Sequence, residues 1–193
     1  MEMILASGSP RRRELLSASG VPFRVFVPET EELSQCADYR SLALANAECK
    51  AETAAELFPG SLVLGADTVI ELDHEILGKP SCADEAETML LRLSGRAHDV
   101  VTGVCMVCRE RNIRICFADL SRVVFRRIDL RTVREYMRLV PVLDKAGAYA
   151  VQNHAELIVE RVEGSVSNVI GLPVERIVRT LSLNGLLRDL RDP

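Results

Sequence analysis

The chain has 193 residues and a formal net charge of -4; it is 48% hydrophobic, 27% charged and 4% aromatic, with no Trp. This length and apolar content suit one folded domain with its own core and exclude a disordered chain or one that depends on disulfides to fold. The acidic balance argues against a protein that coats nucleic acid or an anionic membrane, although a small phosphate ligand needs only a local cluster of positive charge. With so few aromatics the core falls to Leu, Val, Ile and Ala, as in helices packed on a buried sheet.

Residues 3–6 read as a buried strand that starts at once. No basic segment or long apolar run precedes it, so no signal peptide is expected. No apolar stretch approaches the roughly 20 residues that span a bilayer. Ser9, Pro10 and Gly20 punctuate a helix over about 10–19 as N-cap, first position and stop. Residues 23–27 alternate like a strand. An Ala-rich helix over 38–57 opens at Asp38 and ends at Pro59-Gly60. Residues 62–72 read as strand, Asp73-His74 as a tight turn and 75–77 as the return strand. A helix over 84–94 stops at Gly95. Two strand-like runs, 99–108 and 113–126, flank a turn at 109–112. A helix over 130–139 is capped by Asp129 and stopped by Pro141. Strands are expected near 156–162 and 166–170, then a helix over about 173–183. The polar tail after Gly185 is expected to fray. The order mixes βα units with hairpins, which predicts an α/β class with a mixed sheet in one domain, 1–193.

Chemistry concentrates at a few places. In Ser7-Gly8-Ser9-Pro10-Arg11-Arg12 a strand ends, a glycine permits close approach and a helix begins. The free N–H groups and positive end of a helix attract anions. Arginines in that first turn oppose the dipole, and an oligophosphate would relieve the conflict. The same residues would equally serve a capped helix with solvated arginines. The segment is neither a Walker A loop nor a Gly-x-Gly-x-x-Gly turn. Asp67, in Gly65-Ala66-Asp67-Thr68, interrupts an apolar strand and needs a partner. A base, a metal ligand, a salt bridge or a turn would each explain it. Lys50, Lys79, the Asp144-Lys145 pair and the Glu31-Glu32 pair are isolated charges, for which plain solvation is the alternative. The six cysteines are scattered and read as reduced core residues. Cys105-x-x-Cys108 lacks a second pair for zinc. His74, His98 and His154 lack metal-ligand spacing and read as turn or surface residues.

Taken together these segments resemble the Maf family. The resemblance is carried by Ala6-Ser7-Gly8-Ser9-Pro10-Arg11-Arg12-x-Glu14-Leu15-Leu16, Ala47-x-x-Lys50-Ala51, Gly65-Ala66-Asp67-Thr68-Val69, Gly78-Lys79-Pro80 and Leu93-Ser94-Gly95-x-x-His98. Thr102-Gly103-Val104, Asp144-Lys145-Ala146-Gly147-Ala148-Tyr149-x-x-Gln152 and Gly171-Leu172-Pro173 continue it in order along nearly the whole chain. It implies an elongated, two-lobed α/β fold with a central cleft, like that of the inosine triphosphate pyrophosphatases. It implies a cytoplasmic enzyme, often a homodimer, that cleaves nucleoside triphosphates between the α- and β-phosphates with Mg²⁺ or Mn²⁺. A link to septum formation and to removal of non-standard nucleotides comes with the family.

Carried over residue by residue, the resemblance makes Asp67 the proton acceptor and Lys50 and Lys79 catalytic. Ser7, Ser9, Arg11, Arg12, Thr68 and Gln152 would bind substrate, and Glu32 with Asp67 would hold the metal, Glu31 standing one step away. Arg12, Thr68 and Gln152 match the branch that takes dTTP, UTP and modified pyrimidine nucleotides. The 7-methyl-GTP branch carries Trp, Gln and Glu at the corresponding places, none of which occurs here. Thr30-Glu31-Glu32-Leu33 departs from the commoner acidic motif with an aspartate, and Asn153 and Val166 stand where glycine and an aromatic are commoner. Two other readings compete: a nucleotide-binding regulator of division with little hydrolysis, and a redox module around Cys105 and Cys108.

Overall fold

Alternation along three strands decides the architecture. In β1 (Met3–Ala6), β3 (Leu62–Leu72) and β5 (Ala97–Cys108), even and odd positions face opposite ways, as a pleat requires. Met3, Leu5, Leu62, Leu64, Ala66, Val104 and Met106 line one face, under Leu16, Ile177 and Leu181. Ile4, Ala6, Val63, Cys105 and Val107 line the other, under Ala47, Ala51, Ala54 and Ala55. Strands buried on both faces explain the continuous apolar runs.

In the computed structural model, which describes residues 1–191, the sheet has seven strands in the order β2-β1-β3-β5-β6-β7, with β4 paired to β3. The remaining strands are β2 (Arg24–Phe26), β4 (Glu75–Leu77), β6 (Ile113–Phe125) and β7 (Val159–Glu163). β1 lies parallel to β2 and to β3, whereas β3–β4 and β6–β7 are antiparallel, so the sheet is mixed. The helices are α1 (Pro10–Ala18), α2 (Tyr39–Leu57), α3 (Ala83–Leu93), α4 (Leu130–Leu139), α5 (Val166–Ile170), α6 (Val174–Leu183) and α7 (Leu186–Arg191). No helix is long and apolar enough to cross a membrane among the described residues. The chain groups into two compact units. The first holds 1–68, 102–119 and the C-terminal stretch from 171; the second holds 69–101 and 120–170.

In the first unit, α2 lies unusually close to the sheet because two glycines lie beneath it. A Cβ on Gly65 would fall 2.2 Å from the Ala47 carbonyl oxygen, and one on Gly103 would fall 2.2 Å from that of Ala43. Asp38 starts the helix by accepting from the Arg40 and Ser41 amides at 2.9 and 2.8 Å. In the second unit, Asp73 and His74 both take positive φ, the two-residue turn that suits strand twist between β3 and β4. Its core gathers Leu90, Leu93, Val123, Phe125, Val133 and Tyr136.

Four expectations are corrected. Residues 166–170 form a helix, not a strand: the Asn168 amide donates to Ser165 Oγ, and the Asn168 side chain donates to Val100 O and Ser121 Oγ. A short apolar run carries no periodicity that separates strand from helix. Of the tail expected to fray, residues 186–191 form helix α7, anchored by buried Leu186 and Leu190 and by the Met1 amine donating to Asp189 O, and the last two residues lie outside those described. Of the cysteines expected to be reduced core residues, Cys36, Cys49 and Cys82 are exposed, and Cys105 and Cys116 form a disulfide, Cα atoms 4.2 Å apart, because the four-residue turn at 109–112 sets them opposite each other on β5 and β6. His98 is buried rather than on the surface. Its Nε2 meets the Tyr149 hydroxyl at 2.7 Å, its Nδ1 has no partner, and Phe125 packs edge-on against both rings.

Two outcomes follow from this packing. Gly103→Ala forces α2 off the sheet and should cost about 2 kcal/mol or more in urea unfolding, since the obstruction is backbone and cannot rotate away. Burial holds the His98 pKa down to about 4 against an ordinary 6.5, partly offset by the Asp99 charge. Its contribution to stability is therefore full above pH 6.5 and is lost as the pH falls towards 4, by up to about 3 kcal/mol, because the unfolded chain takes up the proton first. Urea unfolding at neutral and mildly acid pH checks this: His98→Gln should lack that share of the acid loss.

Candidate active site

The carboxyl ends of parallel strands are where α/β sheets commonly bind ligands. At that end of β1 the chain turns through Ser7, Gly8 and Ser9 into α1. Ser9 caps the helix by accepting from the Arg12 amide at 3.4 Å, and Ser7 Oγ accepts from the Ser9 amide at 3.2 Å. The helix starts with no acidic side chain in its first turn, and Arg11 and Arg12 are half-buried there.

Arg12 is fixed in place. Its Nε donates to Gly171 O at 2.8 Å, Nη2 to Thr68 Oγ1 at 3.1 Å and Nη1 to Ser7 Oγ at 3.4 Å. Thr68 in turn shares a hydrogen bond of 3.0 Å with buried Thr102. Burial lowers the Arg12 pKa, while the charges of Asp67 and Glu32 pull it back up. The guanidinium therefore lies within electrostatic reach of both carboxylates, with hydroxyls and a carbonyl as its hydrogen-bond partners rather than a carboxylate.

Asp67 is one residue before Thr68, so it projects to the α2 face while Thr68 projects to the α1 face. Lys50 Nζ of α2 lies 2.7 Å from Asp67 Oδ1 and 2.6 Å from Glu32 Oε1. Of the two adjacent glutamates it is Glu32 that meets Lys50. The ammonium thus lies between two carboxylates, and the aspartate that interrupts an apolar strand has its partner. Asn46, one turn earlier on α2, donates to Asp67 Oδ2 at 3.3 Å. Among the described residues no three His, Cys, Asp or Glu side chains gather as a metal cage.

The structure thus brings Ser7, Ser9, Arg12 and Thr68 into one hydrogen-bonded group and Glu32, Lys50 and Asp67 into another, both within the first unit. Lys79 and Gln152 belong to the second unit, where both are exposed. Lys79 follows β4 in a turn fixed by the Gly147 amide donating to Gly78 O at 3.0 Å. Lys145, also singled out by sequence, is buried against Pro141 O and Asp144. Asn46 escaped the sequence reading, and Thr102 and Gly171 stood in its motifs without an assigned role. The available signal for Asn46 was a polar residue one turn before Lys50, on the helix face that otherwise shows Ala43, Ala47 and Ala51. The redox reading loses its dithiol: Cys105 is paired with Cys116, and Cys108 lies against Pro59 O on the other face.

Known proteins are similar to this chain along nearly its whole length. A dTTP/UTP pyrophosphatase of Akkermansia muciniphila is 46% identical over 185 residues, spanning 95% of this chain and 96% of that protein. One from Bacillus cytotoxicus is 41% identical over 181 residues, spanning 93% and 94%. The Staphylococcus aureus Ham1 protein superposes with a TM-score of 0.56 at 15% identity, over 95% of this chain and all of that one, which shows a common fold. Residues 2–183 match the family model of Maf-like proteins, and the chain belongs to that family.

Proposed function

We infer that this chain hydrolyses nucleoside triphosphates, dTTP and UTP first, to the monophosphate and pyrophosphate. The observation that carries the reading is the Glu32–Lys50–Asp67 cluster within electrostatic reach of an arginine anchored at a helix N-terminus. The names of its relatives supply the nucleotides.

The reaction needs water delivered to the α-phosphorus and charge neutralised on the leaving pyrophosphate. Positioning and electrostatics supply most of such catalysis. The free amides at the start of α1, the Ser7 and Ser9 hydroxyls, Arg11 and Arg12 hold phosphate oxygens. Lys50 adds positive charge where negative charge builds up, and the family resemblance gives Lys79 the same role. Asp67 accepts the proton of the attacking water, the bond from the α-phosphorus to the bridging oxygen breaks, and pyrophosphate leaves. Thr68 reads the base edge, and the family resemblance gives Gln152 the same part, because a hydroxyl and an amide each donate and accept.

A divalent cation fits the two carboxylates. Glu32 and Asp67 already converge on one cationic atom, and hard ions such as Mg²⁺ take one or two carboxylates with waters and phosphate oxygens. Mg²⁺ or Mn²⁺ held there would neutralise phosphate charge and lower the pKa of a bound water. The family resemblance extends the proposal to a homodimer in the cytoplasm built as one domain with a nucleotide cleft, and the net charge of -4 speaks against nucleic acid or membrane as partner.

Pyrophosphate release from a panel of triphosphates tests the reading. dTTP and UTP should be preferred over 7-methyl-GTP with Mg²⁺ or Mn²⁺. Asp67→Asn should stay folded and lose about 10²–10⁴ in kcat. Saturable binding without release would replace the enzyme by a nucleotide-binding regulator. Near wild-type turnover in Asp67→Asn would remove Asp67 as the base.

A further inference from the structure

We propose that Asn46 is a positioning residue for the divalent cation: it fixes Glu32 and Asp67 relative to each other and thereby sets cation affinity and turnover. This rests on the assignment of those two carboxylates to the cation.

Asn46 is 4% exposed and uses its whole amide. Oδ1 accepts from the Leu33 amide at 2.8 Å, and Nδ2 donates to the Leu33 carbonyl at 3.1 Å. One side chain therefore satisfies both backbone groups of a single residue, as a neighbouring strand would. Leu33 follows Glu32 directly, so the grip fixes the backbone from which the Glu32 carboxylate reaches Lys50. The same Nδ2 donates to Asp67 Oδ2 at 3.3 Å. The orientation of the amide follows from its partners: an N–H needs the oxygen, and a carboxylate and a carbonyl need the nitrogen.

Without Asn46, Glu32 stands on an exposed segment between β2 and α2 that contains no strand or helix. With it, the segment is tied to the same face of the same helix that carries Lys50, four residues and about one turn further on. Asp67 has one oxygen on Lys50 and the other on Asn46, which fixes the carboxylate plane. A residue that only stabilised the loop would need Leu33 alone. The third bond is to the carboxylate proposed to bind the cation and activate water. Asn is a poorer helix former than Ala and costs desolvation when buried, so this polar residue on an alanine face acts against local stability.

A cation held by few protein ligands depends on how those ligands are preset, and loss of a supporting hydrogen bond typically costs 10–100-fold in metal affinity or activity. The triphosphate, held mainly at the α1 end, should be less affected. Asn46 would then alter kcat and cation affinity far more than the KM for UTP.

The experiment titrates the nucleotide-free protein with Mn²⁺, reading free Mn²⁺ by electron paramagnetic resonance. It compares wild type, Asn46→Ala, Glu32→Gln and the double variant, with kcat and KM for UTP and thermal midpoints alongside. Alanine suits α2, so the fold should survive. Asn46→Ala should weaken Mn²⁺ binding about 10-fold or more and lower kcat in step, with KM little changed. In the Glu32→Gln background the same substitution should add much less, because Asn46 acts through Glu32. Unchanged Mn²⁺ affinity in Asn46→Ala, or full additivity with Glu32→Gln, would overturn the proposal, whatever the thermal midpoint does. A wild type that binds Mn²⁺ in this Asn46-dependent way yet releases no pyrophosphate would sink the catalytic reading and leave the positioning role standing. Release of pyrophosphate with Asn46-independent Mn²⁺ binding would do the reverse.

Discussion

The close approach of α2 to the sheet is the constraint on which the charged cluster depends. Lys50 can bridge Glu32 and Asp67 only if its helix lies nearly in contact with β3, and the two glycines under Ala43 and Ala47 permit that. Alanines along the facing surface of the helix serve the same end, since larger side chains would lift it away. The cluster is electrostatically unforgiving. Two carboxylates converging on one point repel strongly unless a cation lies between them, and removal of one partner from such a group leaves a charge without compensation. Lys50 meets that need in the free protein, and a metal with phosphate oxygens would meet it in the complex.

The α1 end poses the complementary problem. A helix N-terminus with arginines and no acid in its first turn is left electrostatically frustrated. Arg12 is anchored there by a carbonyl and two hydroxyls, and the charges of Asp67 and Glu32 act on it from further off. Its rotamer is fixed by these three bonds. Polarity is thus divided along a single strand. Consecutive residues of β3 supply Asp67 to the side that carries Lys50 and Glu32, and Thr68 to the side that carries Arg12. A substrate that is both polyanionic and metal-bound is the chemistry that needs the two sides together.

Much of this was legible because local chemistry dictates it. Ser9-Pro10 and Gly20 bound α1, Asp38 caps α2, and Asp73-His74 turns β3 into β4, each by a mechanism that acts within a few residues. Asp67 was recognisable as out of place, and its ion-pair partner is Lys50, a residue that the family motifs also contain. The failures share a different origin. Residues 166–170 and 186–191 are short, and their helical state rests on tertiary contacts: Asn168 reaching Val100 and Ser121, and Leu186 and Leu190 entering the core. His98 looked like a surface residue because burial of an imidazole leaves no trace in its sequence neighbours. Its hydroxyl partner Tyr149 is 51 residues away.

Asn46 shows the same limit at the site itself. Hydrolysis requires a base and cationic groups, and those residue types announce themselves by charge in an apolar setting. What holds them in register is a neutral amide whose partners are a backbone 13 residues earlier and a carboxylate 21 residues later. Its place among alanines one turn before Lys50 marks that amide as buried but says nothing of its partners. Its role follows only once the fold has closed the loop onto α2 and brought β3 beneath it. The groups that react are thus written in composition and motif, whereas the groups that aim them are written in the packing.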